Sequence, residues 1–472
     1  MELDRLWLGG QWVETERRRE VRAPWDGRLL GRTAQASPAQ VDAALAFASE
    51  ARPRLQAQTT GARRQVLEGI VAGLTARARD FEDLICHQAG KPRELARVEV
   101  RRATEVFRLA AAELVRFGGS VVPVDLDAES AGLECEVRRF PAGVVVGIVP
   151  FNFPLNLGAH KVAPALAVGA PIIVKPPPQA PGPQLLLAEL AREAGADPAA
   201  LQVLPCEDAV AERLATSPRV RVLSFTGSAR VGWMLKSKAP ARVLLELGGN
   251  AAVLVGADDD LDRAVERCVF GAFAYAGQVC IKVQRIYVER PVAQAFQERF
   301  LARARRVRPG DPSEEGTLCG PVIDDRSAER ITAWVDEAVA QGGRVLLGHA
   351  RKGRLLEPTV LVDVPSAARV AREEVFGPVA ALWPVESWEA GLGAVNDGDY
   401  GLQAGVFTRD LARARAAFHT LEVGGVVVND VPIYRSDNYP YGGVKGSGLG
   451  REGVRYAMEE LTEERVLVTR VR

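Results

Sequence analysis

Val144-Val145-Val146-Gly147-Ile148-Val149-Pro150-Phe151-Asn152-Phe153-Pro154 is an uncharged apolar run that ends in a proline-bounded turn. It is short enough for a strand. It shows no polar alternation, so it suits a strand covered on both faces. Similar short runs recur at 171–174, 201–204, 220–225 and 243–247. Helical stretches lie between them, near 157–168, 183–195, 208–216 and 228–238. Strands alternating with helices predict βαβ units and a parallel sheet. Right-handed crossovers then place the carboxyl ends of the strands along one rim, where such sheets bind ligands.

On the amino-terminal side, residues 38–118 read as helices. Ser37-Pro38 is a start signal, and Val41, Ala44, Leu45 and Ala48 follow helical spacing. Further helices are predicted over 61–87 and 91–117, with their many arginines on a solvated face. On the carboxyl side the alternation resumes from about 250 to 450. Strands are predicted at 283–288 and 425–429, and helices at 292–306 and 326–341, enough for a second α/β domain. The segments 120–140 and 464–472 read as β structure outside both units, able to pair with each other or with another subunit's edge.

Composition narrows the function. The chain has 472 residues, 47% of them hydrophobic, which predicts two or three domains with cores that need no disulfide staples. Sixty basic residues balance sixty acidic ones. That gives no basic excess for nucleic-acid binding or for polybasic membrane attachment. No apolar stretch is long enough to span a membrane. The start, Met1-Glu2-Leu3-Asp4-Arg5, is not followed by the apolar core of a signal peptide. Six cysteines (86, 135, 206, 268, 280 and 319) form no CxxC pair and no zinc spacing, so no metal is expected. A reducing, cytoplasmic setting follows, with most of these thiols acting as small buried hydrophobes.

Five turns carry residues suited to chemistry. Asn152, held between two aromatics and two prolines, offers an amide to a developing oxyanion, or simply satisfies its own turn. Phe225-Thr226-Gly227-Ser228 ends a strand and opens a helix, and Gly232 follows at a Gly-Ser-x-x-x-Gly spacing. Such a helix start suits a pyrophosphate, or is an ordinary cap. Glu246 stands among apolar residues in Leu245-Glu246-Leu247-Gly248-Gly249. Desolvation there raises a carboxylate toward a general-base range, unless it is paired. Cys280, after Gly277-Gln278, is either a nucleophile whose local N–H groups favour thiolate or an inert buried thiol. The four histidines, 87, 160, 349 and 419, bring no signature of a Cys–His hydrolase. Glu374, in Glu373-Glu374-Val375-Phe376-Gly377-Pro378, can accept from two ribose hydroxyls while Phe376 lines a nicotinamide pocket; it is equally readable as a helix end.

The order of these motifs is more specific than any one of them. Pro150–Pro154, Val174-Lys175-Pro176, Phe225–Ser228, Leu245–Gly249, Gly277–Cys280 and Glu374–Pro378 are followed by Asn396, Tyr400-Gly401-Leu402 and Pro440-Tyr441-Gly442-Gly443-Val444-Lys445-Gly446-Ser447-Gly448. Together they resemble the aldehyde dehydrogenase superfamily over essentially the whole chain. Tyr434-Arg435-Ser436-Asp437-Asn438-Tyr439 is similar to the branch holding lactaldehyde, phosphonoacetaldehyde and non-phosphorylating glyceraldehyde-phosphate dehydrogenases.

The resemblance implies a Rossmann-like cofactor-binding domain over 1–119 and 141–248 and an α/β catalytic domain over 249–455. It also implies a small β oligomerisation arm over 120–140 and 456–472, hence a homodimer or homotetramer. It implies that Cys280 attacks an aldehyde, that Asn152 and the Cys280 N–H hold the oxyanion, and that Glu246 activates water on the thioester. Phe151, Lys175, Gly227, Ser228, Val231, Gly232, Leu247, Glu374 and Phe376 would form the NAD(P) site. One departure is Pro178, where many NAD-specific relatives carry an acid, so use of both NAD and NADP is expected. Arg435 is a candidate for an anionic substrate tail. The competing expectations are a CoA-acylating semialdehyde dehydrogenase, which typically lacks a base like Glu246, and a non-catalytic protein on the same fold.

Overall fold

The structure is a computed structural model that describes residues 4–471. The first three residues of the amino-terminal segment, and Arg472 at the end of the expected arm, lie outside the described residues.

The five expected strands form the centre of an eight-stranded sheet. Leu201–Val203, Ile172–Lys175, Val144–Ile148, Val220–Thr226 and Arg242–Glu246 run parallel in that spatial order. Every residue of Val144–Ile148 is buried, as an uninterrupted apolar run requires. The chain leaves this strand in one direction and later returns on its other side, beside Val220–Thr226. The topological switch therefore falls next to the Asn152 turn, the place where open α/β sheets leave a crevice. Helix Arg93–Leu114 covers one face through Ala96, Val100, Ala103, Val106, Phe107 and Ala110, and packs on helix Asn156–Val168.

A second sheet has seven strands, in the order Arg344–Leu347, Thr359–Val362, Val379–Val385, Arg285–Glu289, Ala252–Val255, Gln403–Phe407 and Gly425–Val428. All pairs are parallel except the edge strand Arg344–Leu347. The two outlying segments pair with each other. Thr462–Arg470 runs antiparallel to Leu133–Pro141, from Thr462 opposite Pro141 to Arg470 opposite Leu133. Gly119–Val121 completes that sheet.

Three details differ from the sequence pattern. The helix predicted over 61–87 is two helices, Thr60–Ala76 and Ala78–Ala89, broken where Arg77 leaves helical geometry at φ −107° and ψ 25°. Arg5–Leu8 and Gln11–Glu14, short strands without a strong pattern, form a hairpin on the edge of the first sheet. Gly448–Leu449 also pairs with Arg242–Glu246 in that sheet, and helix Val454–Glu460 packs on helices Arg93–Leu114 and Asn156–Val168. The end of the segment assigned to a catalytic domain therefore returns to the first sheet, carrying Tyr441 and Glu452 toward Glu246.

Candidate active site

The turn before Cys280 is strained. Tyr275 (φ 54°, ψ 38°), Ala276 (φ 51°, ψ 30°) and Gly277 (φ 68°) are consecutive left-handed residues. For a non-glycine residue this costs about 1–3 kcal/mol. Surrounding bonds hold the turn. Tyr275 Oη donates to the Ala89 carbonyl at 3.0 Å, and Tyr275 N–H to Leu318 at 2.9 Å. Gln278 donates to the Pro321 carbonyl (3.2 Å) and accepts from Ile323 N–H (2.9 Å). Gly277 is also sterically required, because a Cβ there would lie 2.2 Å from the Gly377 carbonyl oxygen. The result is a half-buried Cys280, whereas the other five cysteines are buried.

Asn152 reaches the same turn. Its amide donates to the Gln278 carbonyl at 3.0 Å, leaving a second N–H for another acceptor. The Asn152 loop is anchored by a buried ion pair, Lys91–Glu99. Glu99 accepts the N–H groups of Leu155 (2.9 Å) and Asn156 (3.1 Å) at a helix start, while Lys91 Nζ lies 3.5 Å from the Phe153 ring centre and 4.8 Å from that of Tyr275. Burial lowers the Lys91 ammonium to about 8. One ion pair thus ties the Asn152 loop to the Cys280 turn. Its sequence signal was an acid at position 99 on the apolar stripe of Ala96, Val100 and Ala103, where an unpaired charge is not tolerated.

Glu246 ends its strand with a buried side chain, and its Oε2 has no hydrogen-bond partner. Burial raises its carboxyl well above the usual range, and the nearby Glu452 charge adds to the rise. Glu452 takes the opposite direction. Lys161 (3.2 Å) and Arg435 (2.8 Å) hold it down at about 2. Lys161 also donates to Ser224 Oγ at 3.0 Å and Thr226 Oγ1 at 2.8 Å. Two neighbouring carboxyl groups are therefore driven apart, Glu452 charged and Glu246 toward neutrality.

Cys280 Sγ lies 3.3 Å from Tyr441 Oη. Burial pushes this thiol up to about 11; the Tyr441 hydrogen bond and Arg435 pull it down, while Glu374 and Glu246 push it further up. Local N–H groups, expected to favour thiolate, are thus opposed by desolvation, the largest influence on this sulfur. Arg435 is 6% exposed at its side chain and lies 3.8 Å from the Tyr441 ring centre; its Nε makes no hydrogen bond and lies 4.0 Å from an Asp437 carboxylate oxygen.

The remaining candidates line the rim of the first sheet. Ser228 begins helix Ala229–Lys238 with no side-chain cap, leaving the first N–H groups of the helix free. Gly232 lets this helix approach Leu247, since a Cβ there would lie 2.4 Å from a Leu247 methyl. Val231 packs in the same core, and a Cβ on Gly227 would lie 2.7 Å from the Phe225 ring. Phe151 and Phe376 meet edge to face, with centres 5.9 Å apart. Glu374 accepts Gly249 N–H at 3.2 Å, and burial raises its carboxyl to about 7. Lys175 ends its strand with its ammonium 3.8 Å from the Asp208 carboxylate. Pro178 is half-buried beyond it. A cation without a tight partner, an uncapped helix start and a carboxylate together suit the diphosphate and ribose hydroxyls of a dinucleotide.

A family model described as the aldehyde dehydrogenase family matches residues 12–467. The chain belongs to the aldehyde dehydrogenase family.

It is 40% identical over 465 residues to 3-sulfolactaldehyde dehydrogenase of Priestia aryabhattai, covering 98% of this chain and 97% of that one. Among solved structures it resembles aldehyde dehydrogenase 21 of Physcomitrella patens in complex with its reaction product succinate. The identity is 39% and the TM-score 0.96, over 99% of this chain and 98% of that one. It also resembles the NADP-dependent glyceraldehyde-3-phosphate dehydrogenase of Bacillus halodurans in complex with NADP. That match has 34% identity and a TM-score of 0.97, over 100% of both chains. This aldehyde dehydrogenase is an NAD(P)-dependent oxidoreductase that converts aldehydes to acids. Around its candidate thiol, motif reading missed Lys91, Glu99, Lys161, Tyr441 and Glu452 as interacting groups. Apart from Glu99, whose place on an apolar stripe was a signal, each acquires its contacts only when distant segments converge.

Proposed function

We propose that this enzyme oxidises a short aldehyde with an anionic tail to the free acid, with Cys280 as nucleophile and Glu246 as the base for hydrolysis. The observation that carries this reading is Tyr441-Gly442, one segment that touches both groups. Tyr441 contacts the sulfur, and the backbone of Gly442 is so close to Glu246 that a Cβ would lie 2.9 Å from Oε1. Cys280 gives up its thiol proton to solvent and adds as the thiolate to the aldehyde carbon, giving a thiohemiacetal. The free N–H of Asn152 and the backbone N–H of Cys280 stabilise the oxygen as it becomes negative. Lys175, the helix start at Ser228 and Glu374 would hold NAD(P)+, which supplies the hydride acceptor when bound. Glu246 then takes a proton from water as that water attacks the Cys280 thioester, and the acid leaves.

Glu246 favours water over CoA as acyl acceptor. An aldehyde panel read by reduced-cofactor fluorescence, with products identified by mass spectrometry, tests both points. Free acid at a rate indifferent to CoA is expected; strict CoA dependence would reverse the assignment.

The tail is assigned to Arg435, whose buried Nε makes no hydrogen bond and has an Asp437 carboxylate oxygen 4.0 Å away. The relatives named for sulfolactaldehyde and glyceraldehyde 3-phosphate point to the same chemistry. Comparing an anionic and a neutral aldehyde of one length, the wild type should prefer the anionic one. Arg435→Ala should reduce the anionic-to-neutral ratio of kcat/KM by about tenfold or more, the worth of a charge-assisted hydrogen bond. An unchanged ratio would remove Arg435 from tail binding.

For the cofactor, Pro178 offers neither an acceptor to a 2′-hydroxyl nor a charge against a 2′-phosphate. Both cofactors should be used, with less than about a hundredfold preference. Pro178→Glu should weaken NADP more than NAD. Asp208, an acid supplied from another element, faces Lys175. Asp208→Asn should therefore raise the NADP-to-NAD ratio of kcat/KM by about three- to tenfold at low salt, less when screened. A wild type that rejects NADP, with Asp208→Asn unchanged, would place the discrimination elsewhere.

The three-stranded sheet supports assembly as a homodimer or homotetramer, since it exposes Val466 (64%) and Leu467 (59%). Six free thiols fit a reducing, cytoplasmic setting.

A further inference from the structure

We propose that the Tyr441 hydroxyl is a further catalytic group, the hydrogen-bond donor that stabilises Cys280 as a thiolate, held in place by an Arg435–Glu452 bracket. This rests on Cys280 being the nucleophile.

Tyr441 is 3% exposed. A buried phenol needs a partner, and among the described residues the partner of its Oη is Cys280 Sγ, at 3.3 Å. With a neutral thiol either atom can donate. Once the sulfur is charged it can only accept, so the phenol must donate, and a hydrogen bond to an ion is stronger than one to a neutral group. No positively charged side chain makes direct contact with this sulfur among the described residues. The charged or titratable groups that face it are Glu246, Glu374, Arg435 and Tyr441 itself. Two of these are carboxyl groups, which oppose a thiolate, and the desolvated setting opposes it further.

The phenol is fixed from three directions. Tyr441 N–H donates to the Glu452 carbonyl at 2.9 Å, and Glu452 N–H returns to the Tyr441 carbonyl at 2.6 Å. The Glu452 carboxylate accepts from Arg435 Nη2 at 2.8 Å. The Arg435 guanidinium then lies over the Tyr441 ring, 3.8 Å from its centre. A cation on the ring face draws electron density from the phenol and makes its O–H a better donor. Arg435 thus reaches the sulfur through the ring without touching it, which makes it a positioning residue for this step.

The test uses Tyr441→Phe, which keeps the ring under Arg435 and removes only the hydroxyl. The rate of iodoacetamide alkylation at Cys280 is measured against pH in both enzymes, with the modified peptide identified by mass spectrometry. The midpoint should move up by about one pH unit in Tyr441→Phe, and alkylation at neutral pH should fall about tenfold. kcat/KM for aldehyde should fall in parallel, with cofactor affinity unchanged. An identical or downward-shifted midpoint would overturn the proposal, as would lost turnover with an unmoved alkylation profile. Cys280→Ala separates the two readings: turnover that survives in that variant removes the nucleophile assignment itself, whatever Tyr441→Phe does.

Discussion

Cys280→Ala should lose aldehyde oxidation by about 10⁴-fold or more, the scale of removing a nucleophile that forms a covalent intermediate. Binding of NAD(P)+ should persist, because the groups assigned to it, Lys175, the helix start at Ser228 and Glu374, belong to other segments. The fold should also persist. The left-handed turn is held by Tyr275 and Gln278, whose bonds to Ala89, Leu318, Pro321 and Ile323 do not involve the sulfur. No other thiol is placed to substitute. Cys86 and Cys206 are buried, with thiols pushed up to about 11, and Cys319 is pushed up to about 12. Cys268 is raised further still, chiefly by burial among apolar residues. The measurement pairs turnover on the best aldehyde with cofactor binding followed by fluorescence quenching. Residual turnover above about one per cent of wild type would place the nucleophile elsewhere, since a lost nucleophile leaves far less.

What could be read from the sequence, and what could not, follows from how local each signal is. The strand Val144–Ile148 was legible because a fully buried parallel strand admits no polar residue, so its burial is written in consecutive positions. The hairpin of Arg5–Leu8 and Gln11–Glu14 was not, because two strands of four residues, with only Leu6 and Trp7 buried between them, carry no such run. The break at Arg77 was hidden because both flanking stretches keep helical spacing and no Gly or Pro marks the boundary. At the site, Glu246 and Cys280 stood out as polar groups in apolar turns. The strain around Cys280 did not, since only Gly277 of the three left-handed residues announces itself by type. The desolvation of the thiol was hidden for a related reason. Free N–H groups in a Gly-Gln turn are a local property, whereas burial raises Cys280, and the groups that adjust it, Tyr441 downward and Glu374 and Glu246 upward, come from three distant segments. Arg435 was picked out as a candidate for an anionic substrate tail, but its stacking on Tyr441 and its bond to Glu452 depend on the chain's return to the first sheet near Gly448.

Glu246→Gln should slow turnover by about 10²- to 10⁴-fold, the usual worth of a positioned general base, and the loss should fall on hydrolysis of the thioester. Glutamine keeps the size of the side chain but cannot take a proton from water. Formation of the Cys280 acyl adduct needs no base at that position, so a first turnover should still release one equivalent of reduced cofactor in a rapid burst. The acyl-enzyme should then accumulate, and intact-protein mass spectrometry after mixing with aldehyde and NAD(P)+ should show the mass of the acyl group on Cys280. The pH dependence supplies a second, independent signature. Because burial and the Glu452 charge raise the Glu246 carboxyl, it is protonated at low pH and becomes a base only as pH rises through its elevated value. Deacylation in the wild type should therefore increase with pH, and this ascending limb should be missing in Glu246→Gln. The neighbouring Glu452 cannot take over. Its carboxyl is held at about 2 by Lys161 and Arg435, so it stays charged across the working range and is too weak a base to accept the water's proton. A variant that turns over like wild type, with no adduct on Cys280, would make Glu246 a structural carboxyl and require another base.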